Sequence, residues 1–395
     1  MKKLYFTVFI LVLSLIPIQG AQALDGKRCA RVNVTKSFNG VKYICTLEGK
    51  VKRWRKVVPA SLEAVEVKPV EKTPTPPKEL LDQNGWKIPE EALILDKLTD
   101  IAWEKGTYAS EYINTISHPK VANTTWAKDA NAILPGITKI LSGSGAPITT
   151  KIDWFVWWDL KTLQPLLPDV CWARDTRWFK VESVGAGFCM PYTRDSKAAM
   201  FIFYEAYQQW YPQAGFLDKY PNIWDEYGIT AVASGEAVHY SQYTYGLKYD
   251  RLAHLFHPAW IREGASIIYA TMAYAKYHNI PYSTARNLAL KHFGNYRCGD
   301  VLLTDLLMTN QSDSLCEYSG GFLAVEYMIA KSNDILAPYR FLESKIPGNG
   351  KYCPELPGLC KEDYLSVVKE IYSSDVDKWH EDMQAYIKKW GGPIG

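Results

Sequence analysis

The stretch Gly235-Glu236-Ala237-Val238-His239-Tyr240-Ser241-Gln242 decides how the rest of this chain is read. It sits inside residues 227–245, whose pattern predicts a helix, and on a helix residues three or four apart share a face. Glu236 and His239 therefore set a carboxylate beside an imidazole, with the Gln242 amide one turn further on. Gly235 is the odd member. A glycine inside a helix costs about 1 kcal/mol relative to alanine, so it is not there for the helix's stability.

Three further stretches join it. Pro258-Ala259-Trp260-Ile261-Arg262-Glu263-Gly264-Ala265 follows the pattern P-x-W-x-x-E-G-x-A, and Tyr318-Ser319-Gly320-Gly321 follows Y-x-x-G at a helix start. The closing helices span Tyr364–Trp390. Together with Gln242, placed as in an H-E-x-x-H-x-x-Q helix, they make roughly residues 150–390 similar to the gluzincin zinc metallopeptidases. In such a helix two histidines four apart bind zinc, and the glutamate after the first takes a proton from the metal-bound water.

The resemblance implies an α+β domain with a sheet-bearing N-lobe and a helical C-lobe, zinc as cofactor, and a peptide or protein as substrate. Residue by residue, Glu236 matches the general base, His239 a zinc ligand, Glu263 the ligand on the following helix, and Tyr318 the donor that steadies the oxyanion. Two departures stand out. Gly235 occupies the first histidine's place, and the gap from His239 to Glu263 is several residues longer than in the family. The first implies a degenerate site with weak or no peptide hydrolysis; the second concerns only the loop between the helices.

His254 or His257, in that loop, offers a substitute ligand, since His239, Glu263 and one loop histidine make a chemically adequate set for zinc. Plain roles exist for each of these residues. His239 reads equally as a partly buried helix histidine bonded to a neighbour, and Glu263 as a carboxylate favoured by a helix start. Tyr318 is one of 26 tyrosines, so it counts only through its spacing to Gly321. His254 and His257 fit surface or capping positions.

The beginning of the chain reads as an export signal over residues 1–23. Lys2 and Lys3 precede an apolar run from Leu4 to Ile18, and Ala21-Gln22-Ala23 is a small-residue cleavage site. The run is short for a membrane span, which needs about 20 residues, and no later run is longer. No cysteine marks a lipoprotein anchor, so the mature chain is expected to be secreted or held at the cell surface. All eight cysteines lie beyond residue 23. In an exported chain that favours disulfides, and pairing of sequence neighbours (Cys29–Cys45, Cys171–Cys189, Cys298–Cys316, Cys353–Cys360) would staple one local loop each.

Residues 24–58 read as a small basic β module. Runs at Ala30–Val34 and Val41–Thr46 flank the turn signal Phe38-Asn39-Gly40, with Trp54 as cover for a tiny core. The module carries ten Lys and Arg against two acids, a net +8, whereas residues 59–395 carry 33 against 40, a net −7. A basic module on an acidic body suits an anionic cell-envelope polymer, although a solvated charged face accounts for it equally. Residues 59–84, with Pro59, Pro69, Pro74, Pro76 and Pro77, read as an extended linker. The main domain then covers residues 85–395. Helices are expected at 88–105, 125–141, 227–245, 258–277, 282–293, 318–332, 335–345, 361–372 and 375–390, and strands at 151–159, 187–190 and 198–204.

A third class, a glycan- or envelope-binding protein, is suggested by the 14 tryptophans, among them Trp154, Trp157, Trp158, Trp172 and Trp178. Core packing is the alternative use of the same rings. Nucleic-acid binding has no motif to support it, and no glycine-rich phosphate loop or serine nucleophile elbow is present.

Overall fold

The computed structural model describes residues 35–38, 41–48, 51–56, 80–108, 110–168, 171, 186–189, 198–204, 226–249, 258–293, 316–345 and 361–391. Residues 1–23, His254 and His257 lie outside them. The chain divides into two compact units, Met1–Pro76 and Pro77–Gly395.

The first unit is an antiparallel meander of β1 (Thr35–Phe38), β2 (Val41–Glu48) and β3 (Val51–Lys56). Phe38 pairs with Val41, and Cys45 pairs with Trp54 across the β2–β3 ladder. Cys45 is fully buried and disulfide-bonded, and Tyr43 is buried on the same face. Of the two runs expected here, Ala30–Val34 lies outside the described residues. The third strand was not expected. Its Lys-Arg-Trp-Arg-Lys sequence hides an alternation in which Trp54, between two cations, turns toward Cys45.

The second unit is mixed α+β and mostly helical. Its order begins with α1 (Glu90–Lys105), β4 (Ile113–Ser117), α2 (Thr125–Ala132) and α3 (Leu134–Ser144). The single helix expected over 125–141 is two, because Pro135 cannot donate to the ladder and starts a new helix instead. Thr124 caps α2 by accepting from the Ala127 amide, and Gly145 ends α3 at φ +96°. Next come β5 (Ile152–Trp157), α4 (Leu160–Leu163), β6 (Ala186–Cys189) and β7 (Ala198–Phe203).

The sheet runs β4-β5-β7-β6, with β4, β5 and β7 parallel and β6 antiparallel at one edge. Both faces are apolar, as parallel strands require. Trp154, Val156, Met200 and Ile202 face the main core, while Phe155, Trp157, Phe201, Phe203 and Cys189 form a second core with Leu160 and Leu163. Cys171 is bonded to Cys189 on that second face, with Cα atoms 5.0 Å apart.

The helical part follows: α5 (Glu226–Leu247), α6 (Ala259–Tyr277), α7 (Tyr282–Phe293), α8 (Cys316–Ser332), α9 (Ala337–Arg340), α10 (Lys361–Ile371) and α11 (Val376–Trp390). The helix expected at 335–345 is only one turn of α9 followed by a 3-10 turn. Almost every residue of α6 from Trp260 to Ala275 is buried, so α6 is the central helix. It packs on α5 and α8. Against α8 the backbones nearly touch: a Cβ on Gly264 would lie 2.2 Å from the Gly321 carbonyl oxygen, and one on Gly321 would lie 2.4 Å from that of Trp260.

A buried polar cluster ties the unit's first turn to its last helix. The Glu326 carboxylate on α8 accepts from Arg286 Nε (2.9 Å), Tyr282 (3.0 Å) and Tyr386 (2.7 Å). Arg286 Nη1 donates to Asn287, and Asn287 Nδ2 donates to Asp82 at 3.0 Å. Asp82 in turn closes the turn ahead of α1 by accepting from the Asn84 and Trp86 amides.

Candidate functional site

The site lies where α5 meets α6. His239, on α5, reaches across so that its Nε2 is 3.2 Å from Glu263 Oε2 on α6. Its other nitrogen, Nδ1, is 3.1 Å from Gln242 Oε1, one turn along α5. Gln242 Nε2 donates to the Arg262 carbonyl at 3.1 Å, which turns the amide oxygen toward the imidazole. Nδ1 must therefore carry a proton, and Nε2 is the nitrogen left to face Glu263. Arg262 Nε donates to the second oxygen of Glu263 at 3.0 Å. The sequence brings these groups together through spacing alone, since positions 239 and 242 share a helical face and 263 falls on the buried side of α6.

The electrostatics follow from burial and these pairings. Burial would lower the imidazole's affinity for its second proton, but Glu263, with Glu236 adding, raises the His239 pKa above the usual value. Burial would raise Glu263; His239 and Arg262 beside it instead hold it down at about 2. Glu236 is pushed up to about 7 by burial, with His239 opposing and Glu263 reinforcing the shift. Glu236, His239 and Glu263 are thus one electrostatically coupled cluster.

Tyr318 lies on the first turns of α8, partly buried against the main core, one turn before the Gly321 contact with α6. Three residues of the site were not anticipated. Arg262 stood inside the quoted motif, where only its spacing was read. Ser266 donates to the Glu263 carbonyl at 2.7 Å and faces Gly235. Phe188 of β6 stacks on the His239 ring, with centroids 6.2 Å apart and planes 24° from parallel. Nothing in the sequence links positions 188 and 239; the sheet's edge brings them together.

A zinc ion can be tested against this geometry. Two ligands of a tetrahedral zinc with bonds of about 2.0–2.1 Å lie roughly 3.3 Å apart, and the His239–Glu263 separation of 3.2 Å suits such a pair. Among the described residues no third protein ligand stands beside them. Gly235 has no side chain, and a Cβ built there would meet only Ser266, at 3.7 Å from its Oγ. Among the described residues no group of three or more His, Cys, Asp and Glu is arranged to hold a metal ion. The described residues supply two donors where a catalytic zinc takes three, so they do not fit the ion.

The aromatic residues suggested for glycan stacking divide. Trp154 is fully buried and donates to Asn131, and Trp157 is buried and donates to Thr162, so both are core residues. Trp158 is half-buried with Lys120 4.7 Å from its ring, while Trp172 and Trp178 lie outside the described residues. No described helix is long and apolar enough to cross a membrane. Comparison of the chain with protein-family models, curated proteins and solved structures finds no match.

Proposed function

We propose that the chain is an exported gluzincin-like metallopeptidase homologue whose peptide hydrolysis is weak or lost, with the site where α5 meets α6 kept for binding a peptide or protein segment. The observation that carries the reading is Gly235 beside a built cluster: His239, Gln242 and Glu263 are held by specific partners and Glu236 is electrostatically coupled to them, while position 235 offers no ligand. An isolated buried histidine would not need so many fixed neighbours. Arg262, together with the His239 imidazole whose proton affinity Glu263 raises, faces the Glu263 carboxylate, the place a divalent ion would otherwise take.

Binding is assigned to the edge of the sheet. Among the described residues β6 lies at one edge of the sheet and packs on α5, which sets Phe188 against His239 and places the strand beside the site. On this reading the module at residues 24–58, with its net +8, holds the protein to an anionic envelope polymer.

Metal analysis of the purified chain tests the central claim. Zinc well below one equivalent, with no chelator-sensitive casein hydrolysis, is expected. One equivalent of zinc together with hydrolysis that a chelator abolishes would overturn it.

A further inference from the structure

Asn84 and Gly85 form the tip of a tight hairpin near the start of the second unit. Leu81 bridges to Lys87 in antiparallel register, and the Ile88 amide donates to the Leu80 carbonyl at 2.8 Å. Within that frame the Gly85 amide donates to the Asp82 carbonyl at 3.0 Å, so residues 82–85 make a β-turn with Asn84 in its third position. Gly85 lies in the left-handed region at φ +78°, and a Cβ built on it would meet nothing within 4 Å. Asn84 is exposed. An exposed asparagine followed by a residue without a side chain lets the next backbone nitrogen approach the side-chain amide carbon closely.

We propose that Asn84–Gly85 is a site of spontaneous succinimide chemistry, and that the Asp82 carboxylate restrains it. In the reaction the Gly85 nitrogen, its proton taken by hydroxide, attacks Asn84 Cγ. A C–N bond forms, the side-chain nitrogen leaves as ammonia with a proton from water, and a five-membered succinimide remains. Water then opens the ring at either carbonyl to give aspartate or isoaspartate. The sum is asparagine plus water to the acid plus ammonia. In the folded chain the Gly85 N–H is engaged with the Asp82 carbonyl, and Asp82 Oδ1 accepts from the Asn84 and Trp86 amides at 2.8 and 2.9 Å. The reaction must therefore wait for the turn to open, and bonds to a carboxylate are the stronger kind that keep it shut.

The product undoes the brace that delayed it. Isoaspartate adds a main-chain methylene between residues 84 and 85, in a turn whose ends are already bridged, and either acid sets a further negative charge near Asp82. Asp82 Oδ2 accepts from Asn287 Nδ2 at 3.0 Å, and Asn287 accepts in turn from Arg286. Modification at the hairpin tip thereby loosens the tie to the buried Arg286–Glu326 cluster. The chemistry is independent of His239 and of any metal.

The test incubates the full-length chain at mildly alkaline pH, folded and in guanidinium chloride, and follows the peptide that contains residues 84 and 85 by mass spectrometry. Conversion of Asn84 to aspartate and isoaspartate is expected in both, more slowly in the folded chain. Asn84→Gln, which would have to close a six-membered ring, should lose it. Asp82→Ala should speed conversion in the folded chain about tenfold or more. Asp82→Asn, which keeps an uncharged acceptor, should speed it less, and it carries the test if circular dichroism shows that Asp82→Ala does not fold. Aged native protein should exchange its amides at residues 82–86 faster than fresh protein. A folded chain that stays unmodified at residue 84 while the unfolded chain converts, or folded Asp82 variants that convert at the native rate, overturns the proposal.

Discussion

At the scale of single residues, two glycines of similar appearance behave oppositely. Gly235 is buried but leaves room for a methyl group, since an added Cβ would make only ordinary van der Waals contact with Ser266, at 3.7 Å from its Oγ. Gly235→Ala should therefore gain helix propensity without a clash and stabilise the fold by up to about 1 kcal/mol in urea titration. Gly235→His should raise zinc affinity by more than the roughly 10–100-fold that an outer partner of a metal ligand is worth, as read by calorimetric titration. No gain in zinc affinity would show that His239 and Glu263 are not poised for a metal. The pH behaviour of the cluster follows from opposite shifts. Glu263, held at about 2 against a usual 4.5, contributes stability above pH 4.5 that is lost as pH falls toward 2. His239, raised above 6.5, contributes below that value, and its share fades as pH climbs through the raised one.

Glu236 runs the other way. Its acid is pushed from 4.5 to about 7, so the fold retains a proton that the unfolded chain releases, and stability falls as pH rises between those values. Glu236→Gln, which keeps the shape and drops the ionisation, should match the native protein near pH 4. By pH 8 it should be more stable, on the order of 1–2 kcal/mol after solvent screening. Equal stability at both pH values would refute the raised Glu236 pKa.

Between elements, the α6–α8 contact is the least forgiving. A methyl group on Gly264 would sit 2.2 Å from a backbone oxygen, and backbone cannot swing aside as a flexible side chain does. Gly264→Ala should cost about 1–3 kcal/mol or more in denaturant midpoint analysis, and because Glu263 is its neighbour, the His239–Glu263 pairing should loosen with it. The helices themselves were legible in the sequence: α1, α6, α7, α10 and α11 begin or end within two residues of the expected bounds, because long apolar periodicity survives in one sequence. β4 was not expected. Its Ile-Asn-Thr-Ile-Ser run is short and half polar, and its identity comes from pairing with β5, which periodicity does not report. The same limit explains the site. His239, Gln242 and Glu263 could be read from spacing, whereas Phe188 reaches His239 only through the order of strands in the sheet.

For the whole molecule, the Arg286–Glu326 cluster, whose two charged side chains are almost fully buried, couples the segment ahead of α1 to α7, α8 and α11. Glu326→Gln would leave Arg286 buried without its counter-charge and should cost about 3–5 kcal/mol, measured as a lowered melting temperature. Asp82→Ala should instead free the turn at residues 82–86, visible as faster amide exchange there with the core protected.

The tight and open glycines also differ in what descent can do with them. Codons for Gly264 and Gly321 are fenced by backbone, so lineages carrying this chain should keep glycine at both places. The codon for Gly235 is not fenced by backbone, and alanine lies a single nucleotide substitution from any glycine codon, whereas histidine lies at least two away. Drift at that codon should favour small residues, and an imidazole there would need at least two changes, reached through a residue such as aspartate or arginine.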